Sequence, residues 1–436
     1  MVKAYYGQPA KRASLESASR LIRSCCELLF LLLVVGAVPT PLHGSEQRVG
    51  SAGGVPDASL PTLAQINHAI EISGGYLERA CGPDGKFVYE IDIHTGKKSN
   101  SYNIVRHAGA IYALAMLNHA QPDPQAVDAM VRAAAFLRQN FIGPGVHPGQ
   151  LVVWSEPVAE QSKSHHQDAD LGATGLGLVA LAEVRHVDPK AVPLEELQAL
   201  GRFLLFLQKD DGSFINKYRA ESGPVEDWES LYYPGEAALA FVALYEADHS
   251  REWLVAAGKA LSFLAKSRAA LSTVPADHWA LIATAKLFPY CDHISCPGAS
   301  REELIQHAIQ VCNSILREQF RGSAAVGIAG AFDPEGRTAP AATRLEGLLT
   351  AMEFLPKDEL RAEIRTKIEA TVGRGIAFLL RMQIGSGPYS GGMPGAFATR
   401  ALGSSEIRID YMQHALCAWL RYQNLLQSGV RSHGGQ

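Results

Sequence analysis

From Pro61 onward, apolar residues recur at the three-to-four-residue spacing of amphipathic helices, and the breaks between segments carry Gly, Pro, Asp and Ser. No long alternation of apolar and polar positions, the mark of a half-buried strand, interrupts them. The spacing predicts helices over 62–80, 102–119, 125–140, 168–185, 194–208, 229–247, 250–266, 276–287, 300–319, 341–354, 358–382 and 408–427. These segments alternate in character. Leu194 to Gln208 and Lys357 to Met382 carry a charged face, whereas Leu171 to Val184, Ala237 to Tyr245 and Leu345 to Leu355 are apolar or small nearly all round, as expected of helices buried on both sides. Outer and inner helices paired in this way predict an all-α fold, an (α/α)6 toroid of about six helical hairpins over residues 57–428, with a disordered tail over 429–436.

The connections agree with this arrangement. Asp84-Gly85-Lys86-Phe87-Val88-Tyr89 after the first helix matches Asp211-Gly212-Ser213-Phe214-Ile215-Asn216 after the fifth, which indicates a diverged internal repeat. Connections from inner to outer helices, such as Glu246 to Arg251, are short, so the long loops gather where the inner helices begin. Binding sites usually sit among such loops.

The N-terminal stretch changes the picture of where the protein works. Lys3, Lys11, Arg12, Arg20 and Arg23 precede an apolar run from Leu28 to Val38, and a Pro-, Gly- and Ser-rich stretch follows to Pro56. That order reads as a secretory signal over 1–56 and predicts an exported, periplasmic or extracellular protein. The run is shorter than the roughly 20 residues of a spanning helix, so residues 28–38 as an uncleaved membrane anchor are the alternative. Cys25 and Cys26 lie beside the run, leaving Cys81, Cys291, Cys296, Cys312 and Cys417, an odd number that cannot all pair. Cys291 and Cys296 bracket a short loop that a disulfide would close in an oxidising compartment, with an unlinked pair or a metal contact as the alternatives. A net charge of -4 leaves no basic field for a phosphate backbone, so no nucleic acid is expected.

Chemistry-bearing residues collect at the expected inner helix starts: Arg106 and His107; Asp168 and Asp170; Glu229, Tyr232, Tyr233 and Glu236; Asp277 and His278; Arg344 and Glu346; Arg408, Asp410 and His414. In a closed toroid these turns face one funnel. Asp168, Asp277 and Glu226 also suit a helix-capping role. Arg344 and Arg408 are ill placed at helix starts electrostatically and are expected to neutralise carboxylates or to hold an anionic group. Trp154, Trp228, Tyr232, Tyr233, Trp279 and Tyr411 on the same face would stack on sugar rings, line an apolar pocket or pack. No metal or cofactor is expected, although His165 and His166 stand close to Asp168 and Asp170. No phosphate loop, dinucleotide fingerprint or nucleophile elbow occurs.

With its hairpins and the inner-helix openings Tyr232-Tyr233-Pro234-Gly235-Glu236-Ala237 and Thr343-Arg344-Leu345-Glu346-Gly347-Leu348, the chain resembles the six-hairpin toroid enzymes that act on carbohydrates: glycoside hydrolases, polysaccharide lyases and sugar epimerases. That resemblance implies an exported enzyme that cleaves or modifies a glycan. Hydrolysis would need two carboxyl groups, for which Asp170, Glu229, Asp277 and Glu346 are the candidates. A lyase or epimerase acting on a uronic acid would need Arg106, Arg344 or Arg408 for the carboxylate, and His107, His278, His414 or Tyr233 for the proton. Trp228, Glu236 and Asp410 complete the expected substrate-binding set. The run Gly201 to Phe214 resembles the repeat of squalene cyclases and protein prenyltransferases, and Asp168-Ala169-Asp170 is similar to the acid motif of class II terpene cyclases, with Leu171 where that motif has another Asp. This second resemblance implies Asp170 as a general acid on an alkene. A third possibility is a non-catalytic envelope protein that binds a glycan or peptide.

Overall fold

The computed structural model describes residues 60–158, 167–291, 300–320, 326–397 and 406–433. The expected signal segment, His165, His166 and Cys296 lie outside these residues. Among the described residues there are twelve α-helices: α1 (Leu63–Ala80), α2 (Ile104–Ala120), α3 (Pro124–Asn140), α4 (Leu171–Val187), α5 (Leu194–Leu207), α6 (Tyr233–Asp248), α7 (Arg251–Arg268), α8 (His278–Leu287), α9 (Arg301–Glu318), α10 (Thr338–Phe354), α11 (Glu359–Met382) and α12 (Ile409–His433). Each corresponds to one expected segment. The twelfth runs to His433, so the backbone stays helical beyond the boundary expected at 428.

The even-numbered helices form a closed ring. Each packs on the next, from α2 through α4, α6, α8 and α10 to α12, and α12 packs back on α2. The odd-numbered helices lie against their even neighbours as an outer layer, giving the (α/α)6 toroid. An inner helix meets protein on nearly every side. Leu176, Leu178, Val179 and Leu181 of α4, and Leu239, Phe241, Val242 and Leu244 of α6, are therefore all buried although they cover the whole circumference. Outer helices bury one stripe and carry ordinary start signals: α1 opens with a Thr62 and Gln65 capping box, α9 with a Ser300 and Glu303 box.

Long connections hold short strands: β1 (Glu90–Asp92), β2 (Ile142–Pro144), β3 (Leu151–Val153), β4 (Asp168–Asp170), β5 (Lys217–Arg219), β6 (Gly223–Pro224) and β7 (Glu406–Arg408). β1 and β7 pair antiparallel, Glu90 opposite Arg408, tying the loop before the first inner helix to the loop before the last. β4 pairs antiparallel with β5, Asp168 opposite Arg219 and Asp170 opposite Lys217.

The repeated turn after the outer helices is one structure used several times. Backbone bridges join Cys81 to Phe87 and Gln208 to Phe214. Gly85 and Gly212 within those turns have φ of 81° and 92°. A Cβ at Gly85 would overlap the Arg132 carbonyl of α3, and one at Gly212 the Lys259 carbonyl of α7. Gly330 and Gly391 repeat the device against Arg374 of α11 and Ile72 of α1. The glycine thus serves both the left-handed turn and the close approach of the following outer helix.

Candidate active site

Three groups of side chains assemble at the starts of the inner helices. The first joins α8, α10 and α12. His278, the first residue of α8, is 1% exposed, and neither of its ring nitrogens has a hydrogen-bond partner among the described residues. Rings surround it: Tyr232 edge-on at 4.9 Å, Trp279 at 5.0 Å and His414 at 5.1 Å with the planes at 79°. Burial, followed by the charges of His414 and Arg344, holds its pKa well below the usual imidazole range, so the ring is neutral at neutral pH. His414 shares a hydrogen bond of 2.9 Å between Nδ1 and Oε2 of Glu346, a carboxylate with no solvent exposure. This bond orients the imidazole and leaves Nε2 as its other functional atom. Close approach of α8 and α10 depends on Gly347, where a Cβ would stand only 2.9 Å from that of His278.

The second group is built by the β4–β5 pair and α6. Lys217 Nζ stands 3.2 Å from both Asp168 and Asp170 and 4.5 Å from the centre of the Trp228 ring. Arg219 adds a 2.9 Å ion pair to Asp168. Burial acts to raise the Asp168 pKa, but the hydrogen bonds from Arg219 and Lys217 win and hold it below the usual carboxylate range. For Asp170 burial wins over Lys217 and raises the pKa. Glu236 in the first turn of α6 is buried, its Oε2 has no hydrogen-bond partner among the described residues, and burial followed by the charges of Asp277 and Asp170 raises its pKa well above the usual range. Its carboxyl therefore holds its proton more tightly than an ordinary carboxyl does. Gly172 makes room for it, because a Cβ there would overlap both the Tyr233 ring and Glu236 Oε2.

The raised Glu236 pKa has a measurable sign. A group that binds its proton more tightly when folded contributes stability below its unfolded pKa and loses that contribution as pH rises through the folded value. Glu236→Gln, which mimics the neutral acid, is expected to gain on the wild type as pH increases. Thermal melts at about pH 3 and about pH 8, either side of the ordinary carboxylate pKa, read this directly. An unchanged difference between the two conditions would rule the raised pKa out.

The third group centres on Asp410, in the first turn of α12. It accepts two hydrogen bonds from Arg408, at 2.6 and 3.1 Å, and pairs with Arg106 Nε at 3.2 Å. Arg106 also donates to the Tyr89 hydroxyl, while Arg408 lies 3.8 Å from Glu90 and 4.5 Å from the centre of the Tyr411 ring.

Other expected site residues are placed elsewhere or already engaged. His107 has no exposure and bonds Tyr102 at 2.8 Å and the Ala133 carbonyl at 2.9 Å, which makes it a satisfied core histidine with a pKa lowered by burial to about 4. Asp277 caps α8 through Ala280 N–H and pairs with Arg268 at 3.0 Å, so both its oxygens are used. Glu229 is exposed in the loop before α6, and Arg344 pairs with Glu318 at 2.6 Å. Asp168 and Asp170, expected in the first turn of an inner helix, stand in β4, because pairing with β5 holds that backbone extended. Lys217, Tyr89 and Arg268 were not anticipated. The Lys-Tyr-Arg alternation of β5 opposite Asp-Ala-Asp was the one legible signal for Lys217. Cys81, Cys312 and Cys417 are free buried thiols.

No protein-family model matches the chain, and no curated relative does. Solved structures do match. Cellobiose 2-epimerase from Spirochaeta thermophila is 14% identical with a TM-score of 0.61, covering 85% of this chain and 100% of its own. D-mannose isomerase is 10% identical with a TM-score of 0.59, covering 84% and 99%. The α-1,6-mannanase of Salegentibacter is 12% identical with a TM-score of 0.55, covering 84% and 99%. The chain shares their fold. In this toroid, as the closed inner ring requires, side chains from α8, α10 and α12 meet at one end of the helix barrel.

Proposed function

We propose that this protein is a carbohydrate-active enzyme that epimerises or isomerises a neutral sugar by moving a proton at a carbon next to a carbonyl, with His278 and His414 as the proton carriers. The observation that carries this reading is the pair of imidazoles with ring centres 5.1 Å apart, one neutral with neither nitrogen hydrogen-bonded among the described residues, the other tethered to Glu346. Neutral His278 takes the proton from C2 of the open-chain aldose, leaving an enediolate. Return of a proton by His414 to the opposite face of C2 gives the epimer, and return to C1 gives the ketose. The folds shared with an epimerase and an isomerase support this choice.

Neutral sugars are favoured over uronic acids because each expected arginine already meets a carboxylate: Arg106 and Arg408 meet Asp410, and Arg344 meets Glu318. Trp228 and Tyr233, with ring centres 5.4 Å apart beside Asp170, would stack on and hydrogen-bond the rest of the sugar. Hydrolysis is the second reading, favoured by one feature: Glu236, whose pKa burial raises, lies close to Asp170 and resembles the acid of a glycosidase's acid and base pair. The terpene-cyclase reading loses its support, because Asp170 is ion-paired to Lys217 among polar neighbours. Export, inferred from the charged leader and apolar run, belongs to this proposal and accords with a glycan-derived substrate.

The test is to incubate the purified protein with neutral aldoses, disaccharides and uronic acids in deuterated water and follow the products by NMR. Deuterium at C2 of an epimer, or at C1 of a ketose, is the expected result. New reducing ends without exchange at C2 would transfer the assignment to hydrolysis through Glu236 and Asp170. Exchange confined to uronic acids would overturn the neutral-sugar assignment.

A further inference from the structure

The three successive inner helices α8, α10 and α12 each place one metal-ligating side chain at the same spot. One ligand atom from each of His278, Glu346 and His414 lies within 4.8 Å of the other two. Two imidazole nitrogens and a carboxylate oxygen form a donor set suited to zinc and other late divalent transition ions, and poor for magnesium or calcium, which prefer all-oxygen shells. Zinc bonds of about 2.0–2.2 Å set tetrahedral donors roughly 3.3 Å apart, so closure from this spacing asks for shifts of about 1.5 Å or less.

A second observation points the same way. His278 is 1% exposed and neither ring nitrogen has a hydrogen-bond partner among the described residues. Buried polar groups are normally satisfied, so an orphaned imidazole beside a carboxylate and a second imidazole marks a place where a ligand completes the bonding. His278 need break no protein hydrogen bond to accept one. An ion bound there would displace the 2.9 Å contact between His414 and Glu346.

We propose that His278, Glu346 and His414 form a site for a late divalent transition metal, zinc foremost, and that the bound ion silences the enzyme. Coordination occupies the imidazole lone pairs that carry protons, so metal and proton transfer exclude each other. Silencing rests on the proposed epimerase reading; binding does not.

The experiment is titration of the metal-stripped full chain with Zn2+ against a chromophoric chelator, without sugar, alongside the visible spectrum of the Co2+ form. One zinc site is expected, not competed by excess Mg2+ and weakened tenfold or more by His278→Gln and by Glu346→Gln, with a Co2+ spectrum lacking thiolate absorption. Undiminished binding in both variants, a thiolate band, or no binding at all would overturn the site. The Co2+ spectrum is read on the unaltered protein, so a variant that fails to fold does not decide the matter. Zinc bound while sugar turnover continues unchanged would overturn the silencing. Zinc bound with no turnover of any sugar, even after chelation, would leave the metal site standing and remove the proposed function.

Discussion

His278→Gln is expected to lower kcat/KM for epimerisation by about 10²–10⁴-fold, the usual contribution of a positioned acid or base, while the fold survives. Glutamine fits the space of an imidazole between Tyr232, Trp279 and His414 and retains polar atoms, but it cannot take a proton at neutral pH. Because burial keeps His278 neutral to well below the usual imidazole range, the acid limb of the wild-type pH profile is expected to fall below pH ~6.5. Circular dichroism and a melt check the fold; exchange of the C2 hydrogen with solvent checks the chemistry. A variant within threefold of the wild type would sink the two-histidine mechanism. His414→Gln should lose a similar factor, since both protons of the reaction pass through the pair.

The largest loss of stability is expected from Gly391→Ala, about 2–5 kcal/mol. Gly391 has a φ of 89°, a conformation that costs an L-residue about 1–2 kcal/mol. The added methyl would also fall on the Ile72 carbonyl of α1, a backbone atom that cannot swing aside, adding about 1–3 kcal/mol of overpacking. Gly387 supplies the control. Its φ is 84°, yet a Cβ there meets nothing within 4 Å, so Gly387→Ala should cost only the strain of about 1–2 kcal/mol. Urea unfolding of the two variants separates turn from contact. Equal losses would mean that the seam between the α11 connection and α1 tolerates movement.

Periodicity and turn chemistry were enough to read the twelve helices, their alternation into apolar inner and one-faced outer members, and the repeated Gly turns at Gly85 and Gly212. These are short-range consequences of the chain. A helix buried on all sides must be apolar on all sides, and a left-handed turn against a neighbouring backbone admits only glycine. The same pattern pointed to the face where Glu236, His278, Glu346, Asp410 and His414 stand, because loops of unequal length mark where inner helices begin.

Which of those residues remain available for chemistry was decided by the tertiary structure alone. Asp277 and His278 are neighbours in sequence, yet Asp277 is consumed by Ala280 N–H and Arg268 while the His278 nitrogens have no hydrogen bond among the described residues. His107 and His278 both sit near the start of an inner helix, but only His107 meets a hydroxyl and a backbone carbonyl. Lys217 enters the site through strand pairing with Asp170, and His414 reaches Glu346 and His278 only because the ring closes. Helix periods and caps act over a turn or two, so the sequence by itself determines them. Burial, orphaned polar atoms and the pairing of charges depend on segments far apart in the chain, so they exist only once the inner helices have closed into a ring.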